Sequence, residues 1–161
     1  MTTRAGFDVL DVGTEYRGQY VTIEARVSER IVPPIAAKDD LGKLKTLVEN
    51  FKTQVPGRIA EWRKRLEDYR EKGLRTVVWG AGSKGVTFLS TLDIPGAVEY
   101  VVDINPNMWA HYTAKTGLDI IPPSALCEYR PDVVIAMNPV YREEIVAELA
   151  KSGLTPEVIS T

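Results

Sequence analysis

The chain has 161 residues, 44% of them hydrophobic, which fits one ordinary domain with some additional structure. Lysine and arginine number 20 against 22 aspartates and glutamates, so no global positive field attracts nucleic acid or a membrane surface. The single cysteine and single histidine exclude an intrachain disulfide and a zinc site built from these residues. No apolar run approaches the roughly 20 residues of a membrane span, and the first residues do not read as a signal peptide. We therefore expect a cytoplasmic protein without a metal.

The first predicted element is a β-hairpin. Apolar and polar residues alternate at 7–12 and again at 20–25, on either side of a turn at 16–19, which is typical of two antiparallel strands. A lone hairpin is marginally stable in water, so these strands need a larger sheet to join. Two prolines at 33–34, followed by an acidic helix start, then predict a domain boundary.

The most regular pattern predicts a helical segment at 40–72. Apolar residues recur there every three or four positions, as one face of an amphipathic helix requires. The stripe consists of Leu41, Leu44, Val48, Phe51, Val55, Ile59, Trp62, Leu66 and Tyr69. Pro56 removes a backbone donor, so we expect a kink or two helices. We favour packing of the stripe on the domain's own sheet over a coiled coil with a partner, and we expect the charged residues 63–65 to be solvated.

After residue 73, short β-rich segments alternate with helical ones. Strands are predicted at 76–79, 98–102, 131–137 and 157–159, and helices at 83–92 and 141–151. This order implies parallel strands joined by right-handed crossovers. The predicted fold class is therefore α/β, a Rossmann-like open parallel sheet in three layers, preceded by the hairpin and a long kinked helix.

Residues 80–85 read Gly-Ala-Gly-Ser-Lys-Gly and match the pattern G-x-G-x-x-G. The motif stands directly after a predicted strand and begins a helix, as a phosphate-binding turn requires. Its first glycine permits the tight turn, its second lets a phosphate approach the backbone, and its third allows close packing of helix and strand. The amides at a helix start attract anions, to which a lysine adds charge and a serine a hydroxyl. The candidate phosphate-binding residues are Gly80, Gly82, Ser83, Lys84 and Gly85.

Two further groups of candidate residues follow later strands. Asp103 stands about 20 residues beyond the glycines, where a carboxylate can accept a hydrogen bond from a ribose hydroxyl, and Asn105 lies in the loop after it. Asn138 and Tyr141 follow the strand that ends near 136, and ligands of an open parallel sheet bind beyond the carboxyl ends of its strands. The alternative is structural: the glycines serve only the turn, Asp103 caps a loop, Asn138 caps a helix and Tyr141 packs.

We predict neither a catalytic residue nor a metal ligand in this chain. His111 and Tyr112 are of the types that serve as general acids and bases, but they carry no supporting pattern, and a surface or core role is favoured. Cys127 also lacks a sequence signature, so we expect it to be buried and inert.

Three segments, at 79–89, 100–106 and 131–141, resemble in their order and spacing the carboxy-terminal domain of the sugar C-methyltransferase family. The resemblance covers roughly residue 41 to the end. In that family a zinc-binding segment and a middle domain that binds S-adenosylmethionine precede this lobe, which helps to anchor a nucleotide-linked deoxysugar. The resemblance implies a lobe that binds the diphosphate of a nucleotide sugar, with a thymidine diphosphate sugar favoured. It implies S-adenosylmethionine for the full-length enzyme and no cofactor in this chain.

The hairpin resembles the antiparallel strand pair that ends methyltransferase domains of this class. The resemblance implies that residues 1–30 are the end of a missing methyltransferase domain and that 38–161 form the substrate-binding domain, including the helical segment 40–72. The expected partners are a nucleotide-linked sugar and a methyltransferase core, in cis or in trans, with neither nucleic acid nor a membrane. We expect the chain alone to be inactive as a methyltransferase.

Two other functions remain open on the sequence. An NAD-binding oxidoreductase domain would carry the same glycine fingerprint, although the residues outside the nucleotide lobe are too few to supply a clear catalytic domain. A protein-docking module without catalytic activity would use the helical stripe to bind a partner and would show no affinity for nucleotides.

Overall fold

The computed structural model describes residues 6–28 and 41–161. These residues form two compact units, which divide in the chain between Asn50 and Phe51. The prolines at 33–34 and the acidic helix start lie outside the described residues. No helix in the described ranges has both the length and the apolar character needed to cross a membrane.

The first unit contains the predicted hairpin. Strand β1, Phe7–Glu15, pairs antiparallel with β2, Tyr20–Val27. The turn between them places Tyr16, Arg17 and Gly18 at φ of 51°, 56° and 78°, the left-handed region that a tight reversal of the chain requires. The prediction of a hairpin is confirmed, and both strands extend beyond the predicted ranges.

The strand register divides the hairpin into an apolar face and a polar face. The pairs on one face are Phe7–Val27, Val9–Ala25, Val12–Ile23 and Thr14–Val21, and those on the other include Asp8–Arg26, Asp11–Glu24 and Gly13–Thr22. We call the first set the apolar hairpin face. Its members Val21, Ile23 and Val27 are 70%, 51% and 79% exposed. Within the described residues, this face therefore lacks the cover that an apolar sheet surface needs in water.

Helix α1, Leu41–Glu71, is a single helix that contains Pro56, so of the two expected outcomes, a kink or two helices, the division into two helices does not occur. One missing backbone donor leaves the other hydrogen bonds of a 31-residue helix in place. The apolar stripe on α1 has two different environments. Its exposed members are Leu41, Leu44, Val48 and Phe51; we call these residues, with the neighbouring exposed Leu47, the open stripe. Its packed members are Ile59, Trp62, Leu66 and Tyr69, which we call the covered stripe.

The second unit contains a five-stranded parallel sheet in the order β5-β4-β3-β6-β7. The strands are β3 Thr76–Trp79, β4 Tyr100–Val102, β5 Asp119–Ile121, β6 Val133–Ala136 and β7 Glu157–Ser160. The central strands β3 and β6 are buried along their whole length, as strands covered on both faces must be. The sequence did not predict β5, and the chain reaches it from β4 without an α-helix.

Helices cover both faces of this sheet and complete the three layers. They are α2 Ser83–Leu92, α3 Leu126–Tyr129 and α4 Arg142–Lys151. Alternate residues of β3 and β6 enter different cores: Val78 and Ile135 pack with α2 and the covered stripe, whereas Val77 and Val134 pack with α3 and α4. The predicted Rossmann-like α/β fold is confirmed.

Two arginines on α1 make defined contacts, one with the end of α2 and one within α1. The Arg63 guanidinium donates to the carbonyls of Leu92 and Thr91, at 3.1 and 3.0 Å, and a cation is favourable at the carbonyl end of α2. The Arg65 guanidinium lies 5.1 Å from the ring centroid of Trp62, a cation–π contact. Arg63 and Lys64 are exposed, as expected of a solvated face, whereas Arg65 is half-buried; the two arginines also make contacts that the expectation did not include.

Cys127 is exposed, which contradicts our expectation that it is buried. It lies on the short helix α3, whose buried side chain is the neighbouring Leu126. One turn of helix presents only one residue fully to the core here, so the cysteine is left at the surface.

Candidate functional site

The glycine-rich turn joins the end of β3 to the start of α2. Gly80 has φ +118°, and a Cβ added there would lie 3.3 Å from the Cβ of Met137. Its amide donates to the carbonyl of Val102 at 2.8 Å. A glycine therefore fits this position for two reasons, the positive φ and the close approach of the segment after β6.

Gly85 stands in the first turn of α2 and is buried. A Cβ at this position would collide with the carbonyl oxygen of Gly80. The absence of a side chain is what lets the start of α2 lie directly against the turn, the role that the third glycine of the motif serves.

Gly82 differs from the other two glycines because it is exposed, and a Cβ there would meet no atom within 4 Å. It is the N-cap of α2, and no side chain among the described residues caps this helix. The amide of Val86 donates to the Gly82 carbonyl at 3.1 Å, so the amides at 83–85 precede the first helical hydrogen bond. Together with the exposed side chains of Ser83 and Lys84, they form a surface suited to an anion.

Asp103, at the end of β4, holds this turn. One carboxylate oxygen accepts from the amide of Ala81 at 2.7 Å, and the other accepts from the amide of Asn105 at 2.9 Å. No local pattern in the sequence predicts the contact with Ala81, which only the pairing of β3 with β4 brings about. Each carboxylate oxygen has a second lone-pair position, so Asp103 can still accept a hydrogen bond from a ligand.

The loop after Asp103 is fixed by its own hydrogen bonds. The Asn105 side chain accepts from the amide of Asn107 at 3.1 Å, and the Trp109 indole donates to the carbonyl of Asp103 at 2.7 Å. His111 is exposed, with Nδ1 2.9 Å from the carbonyl of Trp109. These contacts give the loop a defined shape beside the turn.

Asn138 and Tyr141 lie beyond the end of β6, as their positions in the sequence predict. The Asn138 side chain accepts from the amide of Val140 at 3.3 Å, which caps the short 3-10 turn Pro139–Tyr141. Tyr141 packs with the core cluster on the α4 side of the sheet. Both residues therefore have a structural role. They lie in the segment that follows Met137, the residue whose side chain is close to Gly80.

An open groove of about 370 Å³ lies beside the glycine-rich turn. It is lined by Ser83, Lys84, Thr87, Phe88, Met137 and Thr161, and we call it the α2 groove. Only Ser83 and Lys84 of this set were candidates from the sequence. Thr87 and Phe88 lie on α2, and the parallel pairing of β3, β6 and β7, which no local pattern encodes, brings Met137 and Thr161 beside them.

Two tyrosines outside this region have a shifted pKa. Burial raises the pKa of the Tyr69 phenol and, more strongly, that of the Tyr129 phenol, to which Glu99 also contributes. Neither tyrosine lines the α2 groove. Among the described residues, no group of three or more histidine, cysteine, aspartate or glutamate side chains could hold a metal ion. The amides of residues 83–85 and the Lys84 side chain, beside the partly apolar lining of the α2 groove, are suited to an anion joined to a partly apolar group.

The family model described as C-methyltransferase C-terminal domain matches residues 19–154. The chain belongs to this family. The match includes β2, α1 and the strands β3, β4, β5 and β6 of the parallel sheet, so the membership applies to the lobe that carries the glycine-rich turn. The resemblance drawn from the three sequence segments is confirmed. A comparison with curated proteins found no match.

Some solved structures match a little over half of the chain at low identity. A Rex-family repressor, RSP, is 12% identical with a TM-score of 0.43, over 55% of this chain and 52% of that one. RSP in complex with β-NADH is 13% identical with a TM-score of 0.42, over 58% and 57%. UDP-D-quinovosamine 4-dehydrogenase from Vibrio fischeri is 20% identical with a TM-score of 0.40, over 54% and 76%. The match with RSP spans about half the length of each chain.

Proposed function

We propose that this chain is the substrate-binding lobe of an S-adenosylmethionine-dependent sugar C-methyltransferase of the cytoplasm. The lobe holds the diphosphate of a nucleotide-linked sugar, with thymidine diphosphate favoured as the nucleotide, and performs no methyl transfer alone. The observation that carries the proposal is the uncapped start of α2 at Gly82, in a chain that belongs to the C-methyltransferase family.

The diphosphate lies at the amides of residues 83–85. The open space at Gly82 leaves room for phosphate oxygens, and the Lys84 ammonium adds a positive charge beside them. This position is also the topological switch point of the sheet, where the chain runs outward from β3 in both directions and ligands of such folds bind. Gly80 and Gly85 keep the turn and the helix close enough to present the amides together.

Asp103 accepts a hydrogen bond from a hydroxyl of the nucleoside sugar while it holds the amide of Ala81. In thymidine only the 3′-hydroxyl is available for this contact. Asn105 borders the same side of the ligand, and Asn138 with Tyr141 borders the other side beyond β6. Asn105 shapes the site through the loop more than through direct contact, since its side chain accepts from the amide of Asn107.

A methyltransferase core, in cis or in trans, covers the apolar hairpin face and the open stripe of α1. Both surfaces are apolar and exposed, and contiguous exposed apolar surface of this kind marks a protein interface. The two-stranded sheet also has unpaired edges, and a lone hairpin is marginally stable. The core supplies the S-adenosylmethionine site and the catalytic groups.

Thermal unfolding in the presence of nucleotides tests the proposal. The panel contains thymidine diphosphate, uridine diphosphate, the glucose derivative of each, and oxidised and reduced nicotinamide dinucleotides. A ligand at about 100 times its Kd stabilises the folded state by about 2.7 kcal/mol, so sugar nucleotides should raise the Tm. A rise with either dinucleotide and none with any sugar nucleotide would favour the oxidoreductase function. No rise with any ligand would contradict nucleotide binding and favour a docking module.

A methylation assay tests the second half of the proposal. With S-adenosylmethionine and a thymidine diphosphate deoxysugar, the purified chain should give no methylated product above a control without protein. Product formation by the chain alone would show that the donor site lies within these residues.

A further inference from the structure

The α2 groove and Asp103 lie on opposite sides of the glycine-rich turn. The sheet order is β4-β3-β6-β7 in this region, and Asp103 follows β4 whereas Met137 and Thr161 follow β6 and β7. A diphosphate bound at the start of α2, beyond β3, therefore has one end directed toward Asp103 and the other toward the groove.

The lining of the groove is of two chemical kinds. Phe88 and Met137 contribute apolar surface, and Phe88 is held by an edge-on contact with Trp62, with ring centroids 5.2 Å apart. Ser83 and Thr87 contribute hydroxyls, and Lys84 a positive charge at the end nearest the turn. An aliphatic C–H face with a few hydroxyls at its edge is what a pyranose ring offers to such a surface, whereas a nucleobase offers ring nitrogens and carbonyls around its edge.

We propose that the α2 groove is the glycosyl subsite. The nucleoside then lies on the Asp103 side of the turn, and the sugar that accepts the methyl group lies against Phe88, Met137 and Thr87. This assignment rests on the proposed function and deepens it, because it states the orientation of the ligand. It follows that the sugar is presented at the carboxyl ends of β6 and β7. A ligand in the reverse orientation would place its base in the groove.

Amide chemical shifts of the whole chain locate the two ends of the ligand. The probes are thymidine diphosphate and thymidine diphosphate glucose. Both should shift the amides of residues 82–85, and the glucose derivative should in addition shift those of Thr87, Phe88 and Met137. If the additional shifts fall at 105–109 instead, the orientation is reversed and the inference is wrong. If neither probe shifts residues 82–85, the proposed function fails at the phosphate site itself, and the inference fails with it.

Two variants test the same point by affinity. Thr87→Val and Phe88→Leu should each weaken the glucose derivative severalfold and change the affinity for thymidine diphosphate by less than about twofold. Thr91→Val, an exposed threonine of the same helix outside the groove, is the matched control and should change neither. Equal weakening of both probes by the groove variants would show that the groove holds the nucleoside. Unchanged affinities for both probes would show that it holds no part of the ligand.

Discussion

The two halves of helix α1 carry one continuous apolar pattern, yet they serve different surfaces. The covered stripe packs into the core beside α2, and its Leu66 is only 2% exposed. The open stripe repeats the same spacing, and its Leu44 is 56% exposed. An apolar period of three and four residues therefore predicts a helix and its buried face, but it does not say whether the cover comes from the same chain or from a partner.

Replacing one leucine in each half gives the largest expected effect. Leu66→Ala removes a buried side chain and leaves a cavity, so it should lower the free energy of unfolding by about 2–5 kcal/mol. Leu44→Ala removes an exposed side chain in the same helix and should cost within about 0.5 kcal/mol. Denaturant unfolding of the two variants and the parent chain measures both values. Equal losses would show that the open stripe is covered within this chain.

Two glycine substitutions make a similar comparison, between a glycine in close contact with another backbone segment and a glycine beside open space. Gly85→Ala forces a Cβ against the carbonyl of Gly80 and should destabilise the lobe by about 1–3 kcal/mol, as overpacking does. Gly57→Ala, in α1 with no atom within 4 Å of the added Cβ, should be neutral or stabilising by up to about 1 kcal/mol, since alanine favours a helix over glycine. Two changes of the same sign and size would contradict the close packing of α2 on the turn.

Lys84→Gln should have the smallest of these effects and should act on binding rather than on folding. The side chain is exposed, so its attraction for phosphate is screened by salt. We expect a loss of a few-fold in affinity for thymidine diphosphate glucose at low salt, and a smaller loss as the salt concentration rises. Titrations at two ionic strengths measure this. A loss of affinity that does not change with salt would indicate that Lys84 contributes through packing against the ligand and not through its charge.

Much of the fold could be predicted because strong local patterns coincide with it. The hairpin shows alternation, α2 and α4 show helical spacing, and β3, β4, β6 and β7 are short β-rich runs bounded by turn residues. Strand β5 was missed because its three residues, Asp119–Ile121, are too few for a period and no helix precedes them. The long helix was also predicted, but the sequence left open whether it divides at Pro56, since the penalty of one proline is local and the packing of the covered stripe extends beyond it.

The candidate site could be predicted most directly for the residues that are adjacent in the sequence. The glycines and their spacing are read directly from residues 80–85, and the structure gives Gly80 and Gly85 a steric reason. The bond from Asp103 to Ala81 and the lining of the α2 groove depend on the order of the strands in the sheet. That order is a tertiary property, so Thr87, Phe88, Met137 and Thr161 could not be recognised in advance.

The central claim is that the glycine-rich turn of this lobe binds the diphosphate, and Gly82→Val tests it most directly. The added side chain enters open space in the folded protein, so the fold should change little, but it occupies the volume through which a phosphate reaches the amides. Circular dichroism should show a folded variant, and titration with thymidine diphosphate glucose should show at least a tenfold loss of affinity. A folded variant that binds as tightly as the parent chain would remove the turn from the site.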